Sequence, residues 1–274
     1  MYGFSVRGTK GNLIIDDNTP ILTQMYKGQL VINREVVNFF DEVRPYAWCE
    51  VVYPAPVTSG PPPLVFAVPA GSAKTSLGMF SHRGGPGAWS GFAVLVSSDL
   101  FMLETSPFRS GTYAGWEYRV CGFGQRGAYG LDEWGLRIMK EGNILFDSAW
   151  PIVKFDGLMT AWNFQGFRHY DAAEYWTTRR VYGSSDWALA TGTHTWGPPD
   201  GEKGFLLSSL GSIKTLVDVG DDNVAVTCCV LMGFNGTDRS KIWAVSPFGS
   251  AQHPAGNLDM MLQWNVLTAT FKGI

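Results

Sequence analysis

The sequence predicts an all-β fold, organised as two tandem β-sandwich (jelly-roll-like) domains from an internal duplication. Three observations carry this expectation. Short β-branched and aromatic runs alternate with Gly and Pro breaks along the whole chain. No long stretch repeats its apolar residues with a helical period. And one phrase occurs twice. The first copy is Gly11-Asn12-Leu13-Ile14-Ile15-Asp16-Asp17, with Pro20-Ile21 after it; the second is Gly142-Asn143-Ile144-Leu145-Phe146-Asp147-Ser148, with Pro151-Ile152. Glycine and proline keep one offset of 131 residues (142 − 11 and 151 − 20). Each copy follows an aromatic-Gly-apolar opening, Tyr2-Gly3-Phe4 or Trp134-Gly135-Leu136. Strand, Gly-Asn turn and apolar strand make a hairpin, because Asn and Gly accept the positive φ angles of a tight turn.

After the first hairpin, Tyr26 to Phe40 is mixed, and Val31-Ile32-Asn33-Arg34-Glu35-Val36-Val37 shows no clear period. Tyr46 to Tyr53 is aromatic and β-branched and reads as a strand ended by Pro54. Gly60-Pro61-Pro62-Pro63 breaks the chain, and Leu64 to Val68 follows as a buried strand stopped by Pro69 and Gly71. Gly84-Gly85-Pro86-Gly87 is a loop. Gly91 to Val96 and Leu100 to Glu104 are strands expected to pair as a hairpin through Ser97-Ser98-Asp99. Trp116-Glu117-Tyr118-Arg119-Val120 alternates with period two, as a half-buried strand does.

The second half repeats these landmarks in order. Gly197-Pro198-Pro199 answers Gly60-Pro61-Pro62, and Trp187 answers Trp48. Gly211 to Thr215 answers Gly71 to Thr75, and Ser246 to Ser250 answers Ser106 to Ser110, both at an offset of 140. Trp264-Asn265-Val266 answers the Trp116 strand at 148. An offset that grows in one direction is what a duplicated unit shows when its loops gain residues. The expected units are residues 1–125 and 130–274, divided in the glycine-rich stretch Gly122 to Gly130. Asp171 to Trp176 has the makings of one helical turn at most.

Composition narrows the function. The formal charge of −3 offers no electrostatic attraction for nucleic acid or anionic lipid. No apolar run reaches the roughly 20 residues of a membrane helix, and the N-terminal residues lack a signal-peptide design. The expected setting is a cytoplasm, or a particle assembled in one. Cys49, Cys121, Cys228 and Cys229 form no C-x-x-C pair and read as strand thiols without disulfides. The chain is 14% aromatic but only 16% charged, a balance that suits large buried contacts.

Catalytic patterns are weak. Lys74-Thr75 lacks the glycine before the lysine that a phosphate loop needs, and reads as a turn. Ser90 in Gly87-Ala88-Trp89-Ser90-Gly91 is one place away from the nucleophile-elbow position and precedes a strand. His82, His169, His194 and His253 fall apart from one another, without the paired spacing of a zinc site. The carboxylates are scattered, and Asp16 and Asp147, at matching positions, read as turn residues. Val219 to Asn223 lacks the spaced ligands of a calcium loop. The expectation is a non-enzymatic chain with no catalytic residue, no metal and no cofactor. A glycan hydrolase would require two carboxylates facing across a groove.

One stretch has the composition of a contact surface. Residues 162–180 combine Trp162, Phe164, Phe167, Tyr170, Tyr175, Trp176 and Arg179 with Asn163 and Gln165. Exposed, such rings offer flat area to a protein partner or a sugar, and the polar groups orient the contact. Buried, they are core.

The twin openings resemble the "YGL-x-I … x-G-x-x-x-F-D-S" openings of small structural proteins in the tails of long-tailed bacteriophages. The second copy is closer; the first carries Ile15 where the pattern has Phe, Asp17 where it has Ser, and one extra residue between its glycines. The resemblance spans about 20 residues per copy. It implies a virion component of the tail tip, baseplate or tail fibre, assembled in the host cytoplasm with other phage tail proteins. It implies a symmetric homo-oligomer such as a trimer, near the end that meets a host receptor or glycan. It brings no catalytic residues, and the charge and hydropathy above add the expectation of no nucleic-acid contact and no membrane insertion. The alternative reading is a lectin-like, carbohydrate- or receptor-binding module.

Overall fold

The computed structural model describes residues 5–7, 13–16, 22–37, 43–70, 75–97, 109–123, 137–140, 143–147, 150–170, 187–196, 202–210, 212–219, 222–234, 240–248 and 265–271. Among them the chain is almost entirely antiparallel β-structure, as the sequence predicts. The first half supplies β1 (Ser5–Arg7), β2 (Leu13–Asp16), β3 (Leu22–Val31), β4 (Arg34–Val37), β5 (Val43–Val57), β6 (Leu64–Pro69), β7 (Ser76–Gly85), β8 (Ala88–Ser97) and β9 (Tyr113–Phe123). The second supplies β10 (Arg137–Lys140), β11 (Asn143–Asp147), β12 (Lys154–Met159), β13 (Asn163–Tyr170), β14 (Trp187–Thr195), β15 (Glu202–Leu206), β16 (Ser212–Val219), β17 (Asp222–Cys229), β18 (Leu231–Gly233), β19 (Lys241–Phe248) and β20 (Val266–Phe271), with one 3-10 turn at Leu207–Ser209.

Two sheets carry the architecture, and each contains strands from both halves. The six-stranded sheet runs β3-β9-β6-β15-β20-β12, and the eight-stranded sheet runs β4-β5-β8-β7-β18-β19-β14-β13. From either edge inward the succession is the same, and like strands meet in the middle. The seam is made by ladder pairing: Phe205 opposite Ala67 and Leu206 opposite Phe66 in one sheet, Met232 opposite Leu77 and Gly233 opposite Ser76 in the other. The two halves are therefore continuous through both sheets.

The ladders also repeat in detail. In the β1–β2 hairpin Ile14 is an extra, unpaired residue, and in β10–β11 it is Leu145. Met25 is the extra residue of β3 against β9, and Asp156 that of β12 against β20. Both bulge pairs keep the 131-residue offset of the opening phrase (145 − 14 and 156 − 25). Beyond the second bulge, Gly28 pairs with Tyr118 and Met159 with Val266, which reproduces the offset of 148 (266 − 118) on the partner strand. A bulge inserts one residue and turns every later side chain to the opposite face. Its position must therefore be kept for the same residues to face the core.

The apolar inward faces of both sheets pack into one core, which includes Leu30, Val65, Trp116, Val120 and Phe205 from one sheet and Ala47, Cys49, Leu77, Phe92 and Ile242 from the other. Trp116 sits at the seam. Its ring stacks on Phe234 at 5.7 Å and meets Phe205 edge-on at 5.5 Å, while Trp196 meets both. Its Nε1–H donates to the carbonyl oxygen and hydroxyl of Thr75, at 3.1 and 3.0 Å.

Several expectations need correcting. The alternating strand around Trp116 is covered on both faces: beneath its outward face Phe66, Val68, Cys121, Ala269 and Phe271 form a second apolar layer. Arg119, on that face, is buried and ion-paired with Glu117 at 2.7 Å and with Glu202 across the seam. Pro54 does not end its strand, because β5 runs to Val57 and accommodates Pro54 and Pro56 where the ladder to β8 skips from Val52 to Val57. Gly91 to Val96 lies in β8, whose hairpin partner is β7, closed by the Pro86-Gly87 turn, so that Gly84 and Gly85 of the expected loop belong to the strand. Leu100 to Glu104 lies outside the described residues. Ser246-Pro247-Phe248 ends β19, which holds the sheet position of β8, whereas residues 106–108 of the stretch it matches lie outside the described residues. The Lys214-Thr215 segment lies in β16, part of a hairpin with no counterpart among the described residues between β6 and β7.

The seam gives a direct prediction. Trp116→Ala removes a fully buried ring shared by both halves and should cost about 3–5 kcal/mol in denaturant unfolding. Gly233→Ala should cost about 1–3 kcal/mol, because a Cβ there falls 2.9 Å from Ser76 Cβ and 3.0 Å from the Thr75 carbonyl oxygen. A loss below about 0.5 kcal/mol for either would contradict the packing described.

Candidate functional site

The most distinctive chemistry lies between the sheets at the turn end of the β7–β8 hairpin. There the inward faces of strands β3, β5, β7, β8 and β9 carry rings. Tyr26 stacks on Tyr53 at 5.5 Å, and Tyr53 leans on Phe92 at 6.2 Å. Phe80 stands edge-on to His82 at 4.7 Å and beside Phe92 at 5.5 Å. Trp89 meets His82 at 5.5 Å, and Tyr118 meets Phe92 at 5.4 Å. Phe92 and Tyr53 are buried, whereas Tyr26, Phe80, His82, Trp89 and Tyr118 are half-buried. Edge-to-face pairs of this kind add stabilisation beyond the area they bury.

Local structure explains the convergence. The β5 irregularity that holds Pro54 and Pro56 brings the Ala55 carbonyl within 3.0 Å of Tyr26 Oη, which donates to it. The Ser59 carbonyl accepts from Trp89 Nε1–H at 3.1 Å and from the Gly87 amide at 3.0 Å, fixing the hairpin turn and the indole together. Tyr118 lies over Gly28, where a Cβ would come within 2.7 Å of its hydroxyl oxygen. The glycine is what lets a tyrosine ring pass flat across the neighbouring strand.

Two polar atoms of the cluster are buried and make no hydrogen bond among the described residues: Tyr53 Oη and His82 Nδ1. Burial raises the Tyr53 phenol, with smaller contributions from Tyr118, Tyr26 and Cys121, and it lowers the His82 imidazole. Both groups are thus held neutral at pH 7. Among the described residues no charged side chain belongs to the cluster; the nearby Arg83 is taken by Glu50 at 2.5 Å, which also binds Arg34 at 3.1 Å.

The sequence-predicted contact stretch lies elsewhere. Trp162 is 2% exposed, packs in the main core, and meets His194 edge-on at 5.7 Å. Phe164, Phe167 and Tyr170 belong to β13, the edge strand of the eight-stranded sheet. Tyr175, Trp176 and Arg179 lie outside the described residues. The structure therefore does not bring these seven together as one described surface. The aromatic cluster was not legible as a unit, because its members are scattered from Tyr26 to Tyr118. The available signal was that the first half carries tyrosines where the matching ladder positions of the second half carry Gly157 and Val266.

Ser90 is exposed on β8, which has strands and no helix around it. Among the described residues no three His, Cys, Asp or Glu side chains are grouped to hold a metal ion, and no helix is long and apolar enough to cross a membrane. No protein-family model, no curated protein and no solved structure matches the chain.

The buried thiols yield a test. Burial pushes Cys49 up to about 12 and raises Cys121 as well, against a smaller lowering by Arg119. In the folded chain both stay protonated at pH 8, so iodoacetamide should leave them unmodified until denaturant is added, as read by peptide mass spectrometry. A raised folded pKa stabilises the fold below the ordinary thiol value of 9.0 and loses that stabilisation as pH rises above it. Melting temperature should accordingly fall above pH 9; rapid labelling at pH 8 would contradict the burial.

Proposed function

We propose that the chain is a non-enzymatic structural component of a bacteriophage tail, at the tail tip, baseplate or fibre, working in virion assembly and host attachment. The observation that carries this reading is the doubled hairpin opening. Its wording resembles that of phage tail structural proteins, and both copies fold with the same unpaired residue, Ile14 and Leu145. The matching bulges and mirrored strand orders further support an internal duplication. Two β-sandwich units would have arisen from it, with their sheets merged at the seam. Units that bury much aromatic surface and present sheet edges are suited to assemblies in which neighbours cover those edges.

In this reading the chain acts with other tail proteins and with copies of itself, and carries no cofactor. Its role is geometric, and duplication doubles the frame without repeating a reaction. The bulges at Met25 and Asp156 interrupt regular pairing in the two outer strands of the six-stranded sheet, and beside the first of them Leu22 to Gln24 are already paired by Pro151 to Val153. Such interruptions restrict which strands can add to an edge.

Two measurements test the proposal together. Light scattering of the purified protein should give an oligomer, with a trimer favoured. Mass spectrometry of purified particles from the phage that encodes it should recover its peptides at fixed stoichiometry to other tail proteins. A strict monomer that never appears in particles would sink the reading.

A further inference from the structure

We propose that the aromatic cluster at the β7–β8 turn binds a neutral sugar ring, with Tyr53 Oη and His82 Nδ1 hydrogen-bonding its hydroxyls and Tyr26, Trp89 and Tyr118 packing on its C–H faces. This gives the chain a ligand site of its own. It goes beyond the virion reading and does not depend on it, since the purified protein is tested without a particle.

Four observations converge. First, Tyr53 Oη and His82 Nδ1 are buried without a hydrogen-bond partner among the described residues. Buried polar atoms are almost always paired, so two orphans in one cluster mark a place for an incoming partner. Tyr26 Oη and Trp89 Nε1, by contrast, are already committed to backbone carbonyls. Second, the rings around them are half-exposed, and aromatic faces flanked by hydrogen-bonding groups suit a flat hydroxylated ring.

Third, the fold does not require these rings. By ladder register the second-half counterparts of Tyr26, Gly28 and Tyr118 are Gly157, Met159 and Val266. The same position in the sheet is thus built without a tyrosine, and only the first half pairs a tyrosine with a strand glycine that admits it. Fourth, among the described residues the cluster holds no charged side chain and its imidazole is neutral, which favours an uncharged sugar over a phosphorylated or acidic one. Access needs one motion. The Tyr26 ring that lies on Tyr53 is half-buried and tied by a single exposed hydrogen bond to Ala55, and in this proposal it swings aside to admit the sugar to Tyr53 Oη.

The experiment is saturation-transfer NMR on the full chain with glucose, galactose, N-acetylglucosamine and their linear tetrasaccharides. At least one should receive saturation. Tyr53→Phe, which deletes only the unpaired hydroxyl, should weaken binding roughly tenfold while leaving the melting temperature unchanged or higher. His82→Phe should weaken it similarly, and Leu158→Ser, on the opposite face of the six-stranded sheet, should leave it unchanged. Absence of transfer to all the sugars overturns the proposal. So does equal binding by wild type and Tyr53→Phe, which would make the orphan hydroxyl a tolerated core defect.

Discussion

The indole of Trp116 is the contact on which the rest depends. It lies on β9, beside the strand that crosses the seam, and it packs against Phe205 and Phe234 from the other half. Thr75 holds its nitrogen through two acceptor atoms and in turn donates its hydroxyl to the Ala114 carbonyl at 2.5 Å. A single ring thereby fixes the spacing of the sheets, the start of β7 and the approach of the second half. Arg119 repeats the device on the outward face, where a buried guanidinium joins Glu117 to Glu202 across the same seam. Burying that cation stabilises little in net terms, but removing either kind of partner would leave charge uncompensated.

Around this seam the two halves share a strand order and differ in what they add to it. The frame is kept: strand order, bulges and opening hairpin recur. The additions differ. The second half inserts the β16–β17 hairpin before its seam strand, and the first half fills its hairpin end with tyrosines and a tryptophan. A frame built twice over leaves one half free to carry a contact while the other preserves the architecture. That logic accommodates both a structural role in an assembly and a ligand site confined to one half.

Much of the frame could be read in the residues. The pairing of the two opening hairpins, the buried Leu64 to Val68 strand and the extended run around Trp116 are local patterns, although Asn143 pairs with Lys140 in the ladder and the Trp116 strand is covered on both faces. What could not be read was long-range. Nothing local in Ser76 to Gly85 pointed to a strand, since its Gly, Ser, His and Arg content is polar for a core element. It becomes a strand because β8 pairs along it and β18 continues the sheet. The merging of the halves rests on short ladders such as Ala67 with Phe205, separated by more than a hundred residues. The site was harder still. Trp162 looked like a contact residue because aromatic composition alone does not distinguish core from surface, and the tyrosine cluster exists only once β3 and β5 face each other across the sandwich.

The central claim is that the halves fold as one cooperative unit through the seam, and native-state hydrogen exchange of the full chain tests it most directly. The account predicts that the paired-strand amides of Phe66, Val120, Phe205 and Thr268 exchange only by global opening, with one common free energy. Trp116→Ala should lower all four together. If Phe205 and Thr268 instead exchanged by an independent opening, with Phe66 and Val120 still protected and the substitution felt in one half alone, the seam would not be what holds the molecule together.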